Sequence, residues 1–157
     1  METIMDNTTR ETIQAFLAQY ETLAIATEHE GQPYVTRVFF VEELVTESSL
    51  KLYGTFITSS RKLVNLRENP LVGLFIGPST PSIWLEATAE ASILTDESAI
   101  ADVREKLGKK SPTAAGFIAQ VPTAAVELQV KWLRITNLTG GPVQTEVSFS
   151  TEFPGEE

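Results

Sequence analysis

Cysteine is absent from all 157 residues, and histidine occurs once, at His29. The first absence excludes disulfides, thiolate catalysis and Cys-ligated zinc. A single imidazole gives no basis for a transition-metal site, so no metal is expected. Cations are scarce too: 12 Lys and Arg stand against 21 Asp and Glu, for a formal charge of −9. A dedicated DNA or RNA surface is thereby excluded, because such affinity rests on clustered Lys and Arg neutralising phosphates. No apolar run approaches the roughly 20 residues of a membrane helix. The stretch from Met1 to Arg10 has neither a basic n-region nor an apolar h-region. The expectation is a soluble, cytoplasmic protein with no membrane or nucleic-acid partner.

What is present suits one globular domain over 1–157, with a core from about 10 to 138 and a frayed tail at 150–157. Hydrophobic residues make up 42% and charged residues 21%, which is enough apolar surface to build a core. Thr8 and Glu11 have capping-box spacing, and Ile13, Phe16, Leu17 and Tyr20 follow at helical spacing. From Thr22 the pattern turns to strands: LAIAT, the polar turn EHEGQP, YVTRVFFV, and a strand from Leu50 to Thr55. Ser59 and Ser60 offer an N-cap to RKLVNLREN, a helix of about two turns that must end before Pro70. LVGLFIG reads as a buried strand and IWLEATAEASIL as a long alternating one. Asp96 can cap a second helix ending near Gly108, and Ser111 with Pro112 can start a third. AAVELQVKWLRITNL closes the sheet, with VQTEVSFS as a weaker further strand. The fold class is therefore mainly β with inserted helices, about six strands forming a closed or nearly closed barrel.

The few cations are unevenly placed. Arg61, Lys62 and Arg67 share one short helix, and Arg37 lies on YVTRVFFV. A phosphate wants backbone N–H donors, hydroxyls and positive charge at one point, which a helix start carrying Ser59, Ser60, Arg61 and Lys62 supplies. Thr55 and Thr58 add hydroxyls just before it. By composition alone such a pair of cations reads as a solvated helix face. Other polar residues invite plainer readings. His29, Glu28, Glu30, Glu42, Glu43 and Glu47 sit in turn-like contexts and solvate the surface; Glu86 and Glu90 face the barrel exterior. Asn65 and Asn69 fix local backbone, and Trp84 and Trp132 are core aromatics.

YGTFITSSRKLVNLRENPLVGLFIG closely resembles the core motif of the pyridoxamine phosphate oxidase-like, FMN-binding split β-barrel family. The resemblance runs from about Phe16 to Thr136, through LAIATEHEGQPYVTRVFFV upstream and IWLEATAEASIL downstream. It implies a six-stranded antiparallel split barrel that binds FMN, with the phosphate on Arg37, Thr58, Ser60, Arg61 and Lys62. Thr55 and Ser59 would lie beside it, and the backbone of Val38 and Phe39 along the isoalloxazine ring. It also implies a homodimer with the cofactor site at the interface. The activity implied is that of a small flavin-dependent oxidoreductase, a reductase or oxidase, on a small-molecule substrate that the residues leave open. No catalytic side chain is identified, since the cofactor carries the redox chemistry. The alternative is a non-catalytic module that holds a flavin, deazaflavin or haem on the same barrel. The family's name-giving enzymes carry a C-terminal Arg-x-His element; the comparable KWLRITNLTGG lacks the histidine, so vitamin B6 oxidation is not implied.

Overall fold

The computed structural model describes residues 5–43, 45–46, 48–140 and 143–149. Glu47 and the tail at 150–157, both assigned roles above, lie outside them. Helix α1 (Asn7–Ala18) buries Ile13, Phe16 and Leu17, the stripe its spacing requires. Its cap is Asp6 rather than Thr8: the Asp6 carboxylate accepts from the Thr9 amide at 2.7 Å. A charged acceptor at the N-cap also meets the positive end of the helix dipole.

Strands β1 (Thr22–His29) and β2 (Gln32–Glu42) form a hairpin whose turn is only Glu30 and Gly31, both at positive φ (50° and 82°). That is the twist a two-residue hairpin demands, and it shortens the six-residue turn expected from sequence. β3 (Lys51–Ile57) leads to α2 (Arg61–Glu68), which ends at Asn69 before Pro70. β4 (Leu71–Ile76) is not buried on both faces, because Leu71 and Phe75 are exposed while Val72, Leu74 and Ile76 face the core. β5 (Ile83–Ile93) follows. At the β4–β5 connection Gly77 has no room for a side chain, since a Cβ there would stand 2.9 Å from that of Trp84.

Helix α3 (Glu97–Lys110) is capped by Asp96 as expected but runs through Gly108 to Lys110. There Ser111 ends it and, accepting from the Ala114 amide, starts α4 (Pro112–Gln120). β6 (Thr123–Asn137) pairs with β5, with β3 and with β7 (Val143–Ser148). The ring β3-β2-β1-β4-β5-β6, shut by the β3–β6 ladder, is a closed six-stranded antiparallel barrel, with β7 added outside the ring.

Alternation decides what fills the barrel. Leu23, Ile25, Val38, Phe40, Leu52, Phe56, Leu74, Leu85, Leu128 and Leu133 point inward, and α1 and α2 plug on Phe16, Leu17, Leu63 and Leu66. Each fully buried Leu or Phe contributes about 1.5–3 kcal/mol. A smaller cluster of Val41, Val103, Leu107 and Ala125 seats α3 on the outside of the wall. Among the described residues no helix is long and apolar enough to cross a membrane.

One ion pair joins these layers. Lys110, at the end of α3, donates to the Glu42 carboxylate at 2.5 Å and to the Leu17 carbonyl at 3.1 Å, with its ammonium 3.8 Å from the Phe40 ring centre. Glu42 is thus no solvating surface group; both side chains are largely buried, at 14% and 12% exposure for Glu42 and Lys110. Burial pushes the Lys110 ammonium below the ordinary lysine range, opposed by its bond to Glu42. Removing one charge strands the other, so Glu42→Leu is expected to cost on the order of 3 kcal/mol. The double variant Glu42→Leu/Lys110→Met should recover most of that loss in chemical denaturation, whereas additive losses would show that the two charges do not depend on each other.

Candidate functional site

Helix α2 is held at a fixed angle by buried polar contacts. Asn65, 2% exposed, donates to the Thr27 hydroxyl of β1 at 3.0 Å. Asn69 donates to Glu28 at 2.9 Å and accepts from the Leu71 amide, tying the helix end to both β1 and β4. The two asparagines do fix geometry, and what they fix is the direction of the helix start. The preceding loop is pinned by Thr58, whose amide and hydroxyl both donate to the Pro122 carbonyl, at 3.1 and 3.4 Å.

At that start, the side chains separate. Lys62 turns toward the barrel wall and, with Arg37, Val38, Phe39 and Thr55, lines a cavity of about 170 Å³ on the outer face of β2 and β3. Thr22, Ile57 and Phe117 complete the lining. These three were not singled out from sequence. Strand register could have found Thr22, since Phe39 pairs with Thr22 on one side and Thr55 on the other. Phe117 arrives on α4, its ring centre 5.7 Å from that of Phe39, and no local pattern announces a helix folding back over a strand.

Lys62 is only 8% exposed, yet among the described residues no carboxylate pairs with it; its nearest aromatic is Phe56, 5.7 Å from the ammonium. Burial lowers its pKa from the usual lysine value. Two residues before it, Ser60 occupies the N-cap position without capping, and its buried Oγ has no hydrogen-bond partner among the described residues. A desolvated cation and an orphan hydroxyl at a helix start are unsatisfied toward an anion. Arg37 is exposed and likewise forms no ion pair among the described residues. It also borders a second hollow of about 240 Å³ with Ala24, Phe75, Pro78 and Ser79.

Ser59 and Arg61 go elsewhere. They line a different cleft, of about 760 Å³, between the β1–β2 hairpin and α2. His29, Gln32, Tyr34 and Val64 share it, and the Arg61 guanidinium lies 5.5 Å from the Tyr34 ring centre. His29 faces the Glu68 carboxylate through Nδ1. Of the nine expected cofactor contacts, the structure therefore gathers Arg37, Val38, Phe39, Thr55 and Lys62 in one cavity. Ser60 stands two residues before Lys62 in the chain, Thr58 is engaged by the Pro122 carbonyl just before β6, and Ser59 and Arg61 face the other cleft. Trp84 and Trp132 are partly buried, with Arg134 5.6 Å from the Trp132 ring centre.

Comparison with known proteins bears on this arrangement. No curated protein matches the chain. A solved structure described as a putative pyridoxamine 5'-phosphate oxidase from Listeria innocua superposes with a TM-score of 0.65 at 22% identity, covering 81% of this chain and 97% of that one. A Clostridium acetobutylicum protein related to general stress protein 26, of the pyridoxinephosphate oxidase family, gives 0.68 at 15% identity over 92% and 96%. HutZ, the heme storage protein from Vibrio cholerae, gives 0.64 at 20% identity over 88% and 92%. At these identities the likeness shows a shared fold. The family profile for pyridoxamine 5'-phosphate oxidase matches residues 9–137, which takes in the whole barrel ring and the cavity that holds Lys62, and the chain belongs to that family.

Proposed function

We propose that this protein is an FMN-binding flavoprotein, an oxidoreductase acting on a small molecule, with the flavin phosphate held between Arg37 and Lys62. The observation that carries the reading is Lys62, a buried cation with no carboxylate beside it among the described residues, in a chain of net charge −9. The dianion of a phosphate monoester supplies what Lys62 lacks, and Arg37 offers a fork of donors to the same group. The buried Ser60 Oγ and the Thr55 hydroxyl are within the same neighbourhood of chain. The backbone of Val38 and Phe39 and the ring of Phe117 form the apolar wall along which a flavin ring would lie.

When bound, FMN supplies the redox chemistry. The chain's own residues bind, orient and exclude water. Among the described residues no carboxylate or imidazole lines the cavity, and none of them offers a conventional acid–base pair there. Heme storage is printed for HutZ, but the sole histidine here lies in the other cleft, facing Glu68. A heme at the Lys62 cavity would find no imidazole, which favours the flavin.

A cavity of about 170 Å³ cannot enclose a nucleotide, since ligand pockets run to about 300–1,000 Å³. A second wall is needed, and we assign it to a second copy of the chain. The outer face of β2, β1 and β4 exposes Val35 (67%), Leu71 (42%) and Phe75 (44%), with Ala24 and Ala26 between them in register. Arg37 lies on that face, directly across Ala24 from Phe75. An apolar patch continuous with an incomplete site fits a homodimer that closes over the cofactor.

Three outcomes test this. FMN titrated into the purified protein should bind, with a shifted visible spectrum and quenched flavin fluorescence, and Lys62→Ala should weaken binding about 10- to 100-fold, the loss of one charge-assisted bond of roughly 1.5–3 kcal/mol; no spectral change with wild type would end the flavin reading. Affinity should also fall as pH rises through the lowered Lys62 pKa, because the phosphate binds the protonated ammonium, and Lys62→Arg should flatten that alkaline limb. Finally, Phe75→Glu should shift the protein from dimer to monomer in sedimentation and weaken FMN with it, whereas a monomeric wild type would refute the shared site.

A further inference from the structure

We infer that α4 is a lid over the Lys62 cavity, hinged at Ser111 and Val121 and latched by Phe117, and that its opening admits the cofactor; the inference rests on the flavin reading of that cavity. The helix pair α3–α4 is held unevenly. α3 is seated on the barrel by Val103 and Leu107, by the Arg104 guanidinium on the Thr123 carbonyl at 3.0 Å, and by Lys110 on Glu42 and the Leu17 carbonyl. α4 has far less to hold it. Of its nine residues only Ala114 is buried, and none carries a charge. Phe117 and Ile118 are half-buried, the first against Phe39 and the second against the cluster under α3, and the rest of the helix is exposed. Among the described residues nothing lies within 4 Å of where a Cβ at Gly116 would stand. Packing does not call for that glycine, and its presence in mid-helix weakens α4.

Both ends of α4 are single extended residues. Ser111 (φ −138°, ψ 109°) separates it from α3, and Val121 (φ −126°, ψ 134°) separates it from Pro122. Rotation at a few such positions swings a short helix without breaking its own hydrogen bonds. At the far end the Pro122 carbonyl accepts from both the amide and the hydroxyl of Thr58, at 3.1 and 3.4 Å. The loop that leads to Ser60 and Lys62 and the far hinge of the lid are therefore one hydrogen-bonded unit. Closure comes from the rings. Phe117 and Phe39 meet in the cavity wall with centres 5.7 Å apart. A third flat ring between them needs two layers of carbon contact, about 7 Å in all. A flavin ring laid on Phe39 therefore displaces Phe117, and α4 is the element that carries it.

The lack of cysteine makes the hinge testable. A Cβ at Gly108 would stand 3.4 Å from that of Ala115, near the roughly 3.8 Å of a disulfide, so Gly108→Cys/Ala115→Cys should bridge the two helices across Ser111. In stopped flow the oxidised form is expected to take up and release FMN at least about tenfold more slowly than the same protein treated with a phosphine reductant, with Kd nearly unchanged. Phe117→Ala should raise the association rate as well as the dissociation rate, whereas a side chain that only stacks on the flavin would change dissociation alone. A ligand-free measurement separates the lid from the flavin reading. Thr55→Cys, at a position 4% exposed in the same cavity wall, should react with iodoacetamide much faster than Ala89→Cys in the barrel core, and adding Phe117→Ala should speed it further. Equal FMN rates in the oxidised and reduced forms, or a Thr55→Cys no more reactive than Ala89→Cys, would overturn the lid. If FMN does not bind but the reactivity of Thr55→Cys still depends on Phe117, the flavin reading falls and the lid stands.

Discussion

Strand β6 is paired along both edges: β5 takes one, and β3 and then β7 take the other. Its fifteen residues are long enough to serve three partners, and the contact with β3 turns a curved sheet into a closed ring. Closure removes the free edges of β3 and of the first half of β6, which would otherwise expose unpaired backbone. It also decides where function can be placed. With the interior filled by Leu, Ile, Val and Phe, no ligand enters the barrel, and any site must be built on the outer wall from whatever the connections bring there.

The connections bring α2 and α4. The first is aimed by two asparagines, and the second by a serine that ends one helix and begins the next. Between them lies a short stretch of β2 and β3 wall carrying Arg37, Phe39 and Thr55. The contrast between the two lysines at helix ends is instructive. Lys110 is buried and answered by Glu42, the Leu17 carbonyl and the face of Phe40. Lys62 is buried and, among the described residues, answered only by Phe56. The first satisfies the rule that a buried charge is paired, and the second breaks it.

Most elements were legible because alternation and turn chemistry agree. The hairpin, the long strands and the caps at Asp96 and Ser111 all follow from residue type and spacing. The failures have specific causes. Thr8 and Asp6 compete to cap α1, and the charged group two residues earlier takes the role. β4 is apolar on both faces, yet only one faces the core; the other exposes Leu71 and Phe75. Glu42 carries no local sign of its partner, which is 68 residues away. In the site, Arg61 and Lys62 are adjacent in sequence, yet they line different hollows. Successive helical residues diverge by about 100° around the axis, so adjacency in a helix separates side chains. Arg37 and Lys62 converge from distant segments instead, a relation that belongs to tertiary structure and to the family resemblance rather than to either segment.

That divergence turns the two cations of the helix start toward different hollows. An uncompensated Lys62 destabilises the folded state through its lost hydration, and an anion that binds there removes the penalty as it binds. Arg61, exposed to water, carries no such debt. The two cations therefore differ in kind: an anion at the Lys62 cavity would relieve a cost carried by the folded chain, whereas the Arg61 guanidinium is already hydrated. Lys62, buried and without a carboxylate partner among the described residues, projects from a helix whose direction is fixed by the bond between Asn65 and Thr27, so the desolvation cost lies in the fold and an anion bound there would offset it.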